Sequence, residues 1–268
     1  SFSPNLQEKK TKFKLNPRIR ENPYLDNQLK QLEMQFYATK KRLENKFGAK
    51  KFLVYFQSFT NTYAPFPTLR ALYEKALSFD NVVGLSIGTR TDCVTDEILD
   101  YLVDLSKTKE IWIEYGIQSF YDETLIKINR GDDVSNMKYW IKRSKEKGLN
   151  VCGHLIYGLP GETQEMMLET LKQTIELKVD SIKFHPLYVV KNTLLTNEYK
   201  KGKFTPISEE LYIDTVVKSI INLPSNISVQ RITAGIDDST LLSPLWCKNK
   251  HQQMKNIRLA LEKEGFNY

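Results

Sequence analysis

Five short polar clusters stand directly behind apolar runs, and their residue types limit the chemistry they can do. Gln57, Ser58, Thr60 and Asn61 follow FLVYF. Thr89, Arg90 and Asp92 follow VVGLSIG. Glu114, Gln118 and Ser119 close EIWIEYGIQS. His154 precedes the Tyr157-Gly158-Leu159-Pro160-Gly161 turn, and Lys183 and His185 end SIKFHP. One short helical pattern after Gln118, Arg130 stands in front of Gly131. These are amides, hydroxyls, planar cations and imidazoles, which hydrogen-bond a ligand rather than attack it. HExxH and the phosphate-cradling P-loop are missing from the chain. The set suits a polar, zwitterionic or ribose-bearing ligand. Any one cluster would also serve to satisfy the backbone at a strand end. Five in succession point to one ligand site.

The elements that must carry these clusters alternate. An amphipathic pattern at 24–47 predicts a long helix. FLVYFQ (52–57) reads as a strand buried on both faces of a parallel sheet. A proline-led helix follows (67–79), then strand 82–89 and a helix capped by Thr95. Strand 110–118 leads to a short helix (122–129) and a longer one stopped by Gly148. Strand 149–158, helix 162–178, strand 180–190, helix 208–223, strand 226–233 and a final helix (246–266) complete the pattern. Such βα alternation predicts parallel strands with helices outside. No GxGxxG follows the first strand, so a dinucleotide-binding fold loses support. The fold class is α/β, a partial (β/α)6 TIM-like barrel with function at the C-terminal ends of its strands. The expected organisation is a basic arm at 1–23, a barrel core at 24–222 and a C-terminal extension at 223–268.

Composition narrows the setting. The net charge is +7, concentrated in KKTKFKLNPRIR (9–20) and KKRLENKFGAKK (40–51). Such runs either solubilise a surface or meet a polyanion such as RNA. Cys93, Cys152 and Cys247 are few, odd in number and far apart, as in a reducing compartment. No apolar run reaches the roughly 18 residues of a membrane span, and the first residues lack a secretory signal's apolar stretch. A cytoplasmic protein with no membrane partner is expected.

The motifs also carry a resemblance. YFQSFTNTYAP, VVGLSIGTRTDCV, GIQSFYDETLIKINRG, GLPGETQEMMLETL, IKFHPLYVVKNT and LLSPLWCKNK occur in this order. Together they resemble the YhcC/YtqA-type radical S-adenosylmethionine (SAM) family, over nearly everything from residue 50 to 255. Oxygen-independent coproporphyrinogen dehydrogenase and the elongator catalytic subunit are the nearest named branches. The resemblance implies reductive cleavage of SAM at a 4Fe-4S cluster to a 5′-deoxyadenosyl radical that acts on a substrate. It implies that Gln57, Ser58 and Thr60 hold the amino group of SAM, Gln118 its ribose and Arg130 its carboxylate. His154 falls at a ribose-contacting position that is often Asp in relatives. Arg90, Glu114 and His185 are placed at the same mouth. A tRNA nucleoside as substrate and flavodoxin or ferredoxin as electron donor follow from the same likeness.

One part of the family's pattern is missing. The family binds its cluster through three grouped cysteines, and Cys93, Cys152 and Cys247 do not match those positions. The cluster ligands are therefore expected upstream of Ser1, and no metal ligand is assigned in this chain. A cluster-free barrel that binds SAM or a nucleoside is the alternative. A lyase or isomerase using Lys183, His185 or Glu114 as acid and base is a further rival, although no positioned pair is evident from spacing.

Overall fold

A computed structural model describes residues 22–236 and 239–266. The basic run 9–20 and nearly all of the arm 1–23 lie outside the described residues. Helix α1 is Leu25–Phe47, β1 is Phe52–Phe56, α2 is Phe66–Leu77 and β2 is Val82–Thr89. Then come α3 (Asp96–Ser106), β3 (Glu110–Gln118), α4 (Asp122–Lys127), α5 (Val134–Glu146) and β4 (Asn150–Tyr157). Helix α6 (Gln164–Glu176), β5 (Ser181–Pro186), β6 (Val189–Val190), α7 (Leu194–Lys200) and α8 (Glu209–Ile221) follow. Strand β7 (Ser228–Arg231), β8 (Leu241–Ser243) and α9 (Lys250–Lys263) end the described chain.

Six strands form one sheet in the order β1-β2-β3-β4-β5-β7. The registers of β1 with β2, β2 with β3, β4 with β5 and β5 with β7 are all parallel. Strand order that follows chain order is what successive βα units produce, and it is the topology of a partial (β/α) barrel. Local signals set the helix ends. Thr95 accepts a hydrogen bond from Ile98 N at 3.3 Å and caps α3 as its sequence predicts. Gly148, at φ 84°, ends the turn that follows α5.

By contacts the chain divides into two compact units. The first runs up to Gly116 and includes Tyr139–Val151. Its core is Phe56, Leu69, Leu72, Tyr73, Leu85, Ile87, Leu99, Leu102 and Ile113, all fully buried. The second holds Ile117–Lys138 and the chain from Cys152 onward. Leu155, Phe184, Tyr212, Val216, Ile257 and Leu261 are its buried centre. No helix among the described residues is long and apolar enough to cross a membrane.

Several sequence expectations need correction. FLVYF is not buried on both faces. β1 lies at the sheet margin in the strand order, and Leu53 is 42% exposed. An apolar run marks a strand but carries no information on which neighbours flank it. The expected strand 180–190 ends at Pro186, whose missing N–H cannot extend the ladder. Val189–Val190 pairs instead with Leu241–Ser243 in an antiparallel ribbon. Helix α7 falls in a stretch to which the hydrophobic pattern assigns no element; Thr193 caps it through Thr196 N at 3.3 Å. The final helix begins only at Lys250, after a 3-10 turn at Leu245–Lys248 and an Asn249 cap.

One glycine is demanded by the sheet. Gly84 pairs with Glu110, and a Cβ at Gly84 would come within 1.8 Å of the Glu110 carbonyl oxygen. β2 and β3 cannot separate without losing their ladder. Gly84→Ala is therefore expected to destabilise the fold by about 3 kcal/mol, the upper range of overpacking, as read by urea unfolding. Gly48→Ala, where nothing lies within 4 Å but φ is 62°, should cost only about 1 kcal/mol.

Candidate functional site

The expected site residues fall in both units. In the first unit, the exit of β1 is built by an amide. Asn61 is fully buried, and its Nδ2 donates to the Phe56 carbonyl at 2.9 Å and the Gly88 carbonyl at 2.8 Å. Its own backbone carbonyl accepts from Tyr73 Oη at 2.7 Å. Thr62 Oγ1 lies 2.5 Å from Thr89 Oγ1 and donates to the Cys93 carbonyl at 2.6 Å. The TNT motif thus ties the ends of β1 and β2 together, because strand-end carbonyls buried from water need donors. Gln57, Ser58 and Thr60 sit on the loop so fixed, with Gln57 exposed and the other two half-buried. Between them Phe59 takes φ 62° and is 76% exposed.

Glu114 and Arg90 behave differently from each other. Glu114 is 2% exposed, and its Oε2 accepts from Tyr55 Oη at 2.8 Å while Oε1 accepts from Ser86 Oγ. Two hydroxyls from β1 and β2 thereby hold a carboxylate that burial alone would disfavour. Arg90 forms a two-pronged pair with Asp92, Nε to Oδ1 at 2.7 Å and Nη2 to Oδ2 at 2.5 Å. Its fork is committed to a neighbour two residues on, a geometry that sequence spacing alone does not announce.

In the second unit, β3 ends in a tight reversal. Gln118 takes φ 69°, and Ser119 N donates to the Ile117 carbonyl at 2.9 Å, a three-residue γ-turn of the strained hand. The turn is held from outside. Ser119 Oγ donates to Glu162 Oε1, and Phe120 N donates to Thr170 Oγ1 at 3.3 Å. Burial raises the Glu162 carboxyl above its ordinary value. The GLPGET motif that carries Glu162 is shaped by Gly158 at φ 89°, where a Cβ would meet Ile207 at 2.7 Å. Glu162 is absent from the residues expected at the site; its place in the GLPGET motif is the signal that could have found it.

Arg130 is only 8% exposed. Asn129 at φ 53° ends α4, and Arg130 N donates back to the Leu125 carbonyl at 2.9 Å. This C-terminal motif sends the arginine inward instead of leaving it on the helix end. His154 is half-buried on β4 and is the register partner of Lys183 on β5, itself 8% exposed. His185 lies two residues further along β5. Its Nδ1 is 2.6 Å from the Pro186 carbonyl oxygen, so Nδ1 bears the proton and Nε2 keeps a lone pair. Burial depresses its pKa to about 4, with the charges of Arg231 and His154 adding to the effect and the Pro186 bond opposing it.

The iron-sulfur cluster that the resemblance implies can be tested against the cysteines. Cys93 is half-buried, and Cys152 and Cys247 are buried. Cys152 lies inside β4, and Cys247 in the 3-10 turn before α9. Burial pushes the Cys247 thiol up to about 12, so it stays protonated and is a poor thiolate ligand. These residues do not fit a 4Fe-4S cluster.

His185 titration follows from this geometry. Its folded pKa lies below the unfolded value of about 6.5, so its contribution to stability is complete above that pH. It is lost as pH falls toward about 4. Long-range 1H–15N spectra should show a neutral Nδ1–H tautomer that persists at pH 5. A midpoint near 6.5 would refute this.

Comparison with known proteins agrees with this architecture. Residues 29–174 match the Radical SAM superfamily and residues 179–263 its Radical_SAM C-terminal domain. The chain is 36% identical over 242 residues to the uncharacterized protein YtqA of Bacillus subtilis, covering 90% of this chain and 75% of that one. It is 28% identical over 185 residues to a tRNA uridine(34) acetyltransferase of Methanocaldococcus infernus, covering 66% of this chain and 34% of that protein. Among solved structures, archaeal Methanocaldococcus infernus Elp3 superposes with a TM-score of 0.64 at 24% identity, over 76% of this chain and 47% of that chain. That likeness speaks for the fold. With the family match extending over more than half of its length, the chain belongs to the radical SAM superfamily.

Proposed function

We propose that this chain is the SAM-holding core of a radical SAM enzyme that acts on a tRNA nucleoside. The family match over residues 29–174 carries this reading. In it, a 4Fe-4S cluster held by thiolates other than Cys93, Cys152 and Cys247 would supply the electron for reductive SAM cleavage, and the radical so formed would abstract hydrogen. The cluster's thiolates are not among this chain's own residues, so its contribution is to bind and orient. Gln57, Ser58 and Thr60, on the loop tied down by Asn61, present hydroxyl and amide oxygens to the SAM ammonium group. Gln118, projected by the γ-turn, offers an amide to the ribose. Arg130, turned inward at the end of α4, pairs with the carboxylate, which a planar guanidinium suits. His154 adds a ribose contact. His185, neutral near pH 7, serves as an acceptor through Nε2. Arg90 and Glu114 act through their own partners, Asp92 on one side and Tyr55 with Ser86 on the other, and shape the mouth.

The tRNA assignment is supported by two observations. One similar protein is named a tRNA uridine(34) acetyltransferase, and this chain has a net charge of +7. A flavodoxin or ferredoxin as electron donor and a cytoplasmic location complete the proposal.

A cluster-free barrel that binds SAM or a nucleoside is a second reading, favoured by the lack of fit between the three cysteines and a cluster. Both readings require SAM or nucleoside affinity. Iron analysis and EPR after anaerobic reconstitution separate the two when applied to the chain together with whatever residues precede it in the native reading frame.

Calorimetry with SAM tests the binding role. Arg130→Ala should weaken SAM by about tenfold or more, the worth of a charge-assisted hydrogen bond. Equal affinity in wild type and variant would remove Arg130 from the site. For the RNA, deletion of residues 9–20 should weaken tRNA binding at low salt and flatten its salt dependence, because phosphate contacts release counterions. Unchanged affinity and slope would sink the tRNA reading.

A further inference from the structure

Arg231 at the end of β7 and Tyr188, just past β5, are polar groups that the SAM reading does not use. Lys183 on β5 and Arg231 on β7 are register partners in adjacent parallel strands. The pairing comes just past a register shift after Ile182 and sets two basic residues next to each other on adjacent strands. His154 pairs with Lys183 on the other flank, and His185 lies two residues beyond it on the same strand.

Two atoms beside it are buried without partners. Arg231 Nε has no hydrogen-bond partner, and neither has Tyr188 Oη. Among the described residues the Arg231 side chain makes no ion pair. The His185 and Tyr188 rings meet edge to face, with centroids 4.7 Å apart. Arg231 is near enough for its charge to be felt by both rings. Nε2 of His185 points its lone pair away from the Nδ1–Pro186 contact. A buried donor left unmade costs about 1–3 kcal/mol, more when charged, so two in one place call for an occupant. Their chemistry defines it. Guanidinium N–H and phenol O–H both donate, and the guanidinium charge favours an anion.

We propose that Arg231 and Tyr188 anchor an oxyanion of the substrate, a phosphate or a carboxylate. The proposal rests on the reading above only in calling the anion's owner the substrate; the anion site itself stands on the geometry of β5 and β7. A sugar phosphate within RNA is one source of that chemistry. A small-molecule carboxylate is the other source of the same chemistry.

The test titrates the full chain with inorganic phosphate, with acetate at matched ionic strength, and separately with SAM. Phosphate binding is followed by 31P line broadening and the others by calorimetry. Arg231→Gln should weaken the bound anion by at least about tenfold and Tyr188→Phe several-fold, with SAM affinity unchanged. Preference for phosphate over acetate, or the reverse, identifies the source. Anion affinity that is the same in wild type and Arg231→Gln overturns the proposal. So does a loss of SAM affinity in Arg231→Gln together with competition between phosphate and SAM, which would give these groups to the cofactor. Should Arg231→Gln fail to fold by circular dichroism, Arg231→Lys and Tyr188→Phe decide: each should weaken the anion several-fold, and unchanged affinity in both is fatal. Wild type that binds phosphate through Arg231 but does not bind SAM would support the anion site and sink the SAM reading.

Discussion

A parallel strand covered on both faces leaves polar chemistry nowhere to go but its ends. β2, β4 and β5 are buried along most of their length, and their backbone groups are taken up by the ladder. A charged residue inside such a strand needs partners brought to it, as Tyr55 and Ser86 are brought to Glu114. At the exits the ladder stops, and every carbonyl and N–H must find a partner in a loop. Asn61 meets that demand for β1 and β2 with one side chain. Because it does so, the loop before it is fixed in place and can present Gln57, Ser58 and Thr60. The candidate site is thus a by-product of satisfying strand ends.

The β3 exit shows the same constraint under more strain. Gln118 at φ 69° is a conformation that a side chain adopts only when its surroundings enforce it. Enforcement comes from Glu162 on Ser119 and Thr170 on Phe120. Glu162 is itself partly desolvated, which raises its carboxyl and favours its protonated form in the folded chain. Its linkage therefore runs opposite to that of His185: stability from Glu162 is complete below its ordinary pKa and is lost as pH rises through the raised one. Two short motifs far apart in sequence, GIQS and GLPGET, become one turn and its support.

Much of the fold is legible in the order of residues alone. The alternation of apolar runs with 3.6-period patterns defines the βα order, since a buried parallel strand and an amphipathic helix have different hydrophobic spacing. Thr95 and Gly148 announce helix ends by local chemistry. The motif order announces the superfamily, and the family match bears that out. What stays hidden is anything decided by a partner distant in sequence. The ribbon of Val189–Val190 with Leu241–Ser243 is one case, since two-residue strands carry no period. The edge position of β1 is another, because Leu53 reads as core until the strand order is known.

The sequence by itself determined the order of the main βα units, the polar clusters at their exits and the superfamily to which the chain belongs. These depend on propensity, periodicity and motif order, all of which are local or countable along the chain. Only the tertiary structure decided what each polar residue does there. It made Asn61 a clamp instead of a ligand group, closed Arg90 onto Asp92, turned Arg130 inward, and left Arg231 and Tyr188 beside His185 with unmade hydrogen bonds. The physical reason is that a hydrogen bond or ion pair is a property of two groups, and the second group is chosen by the fold.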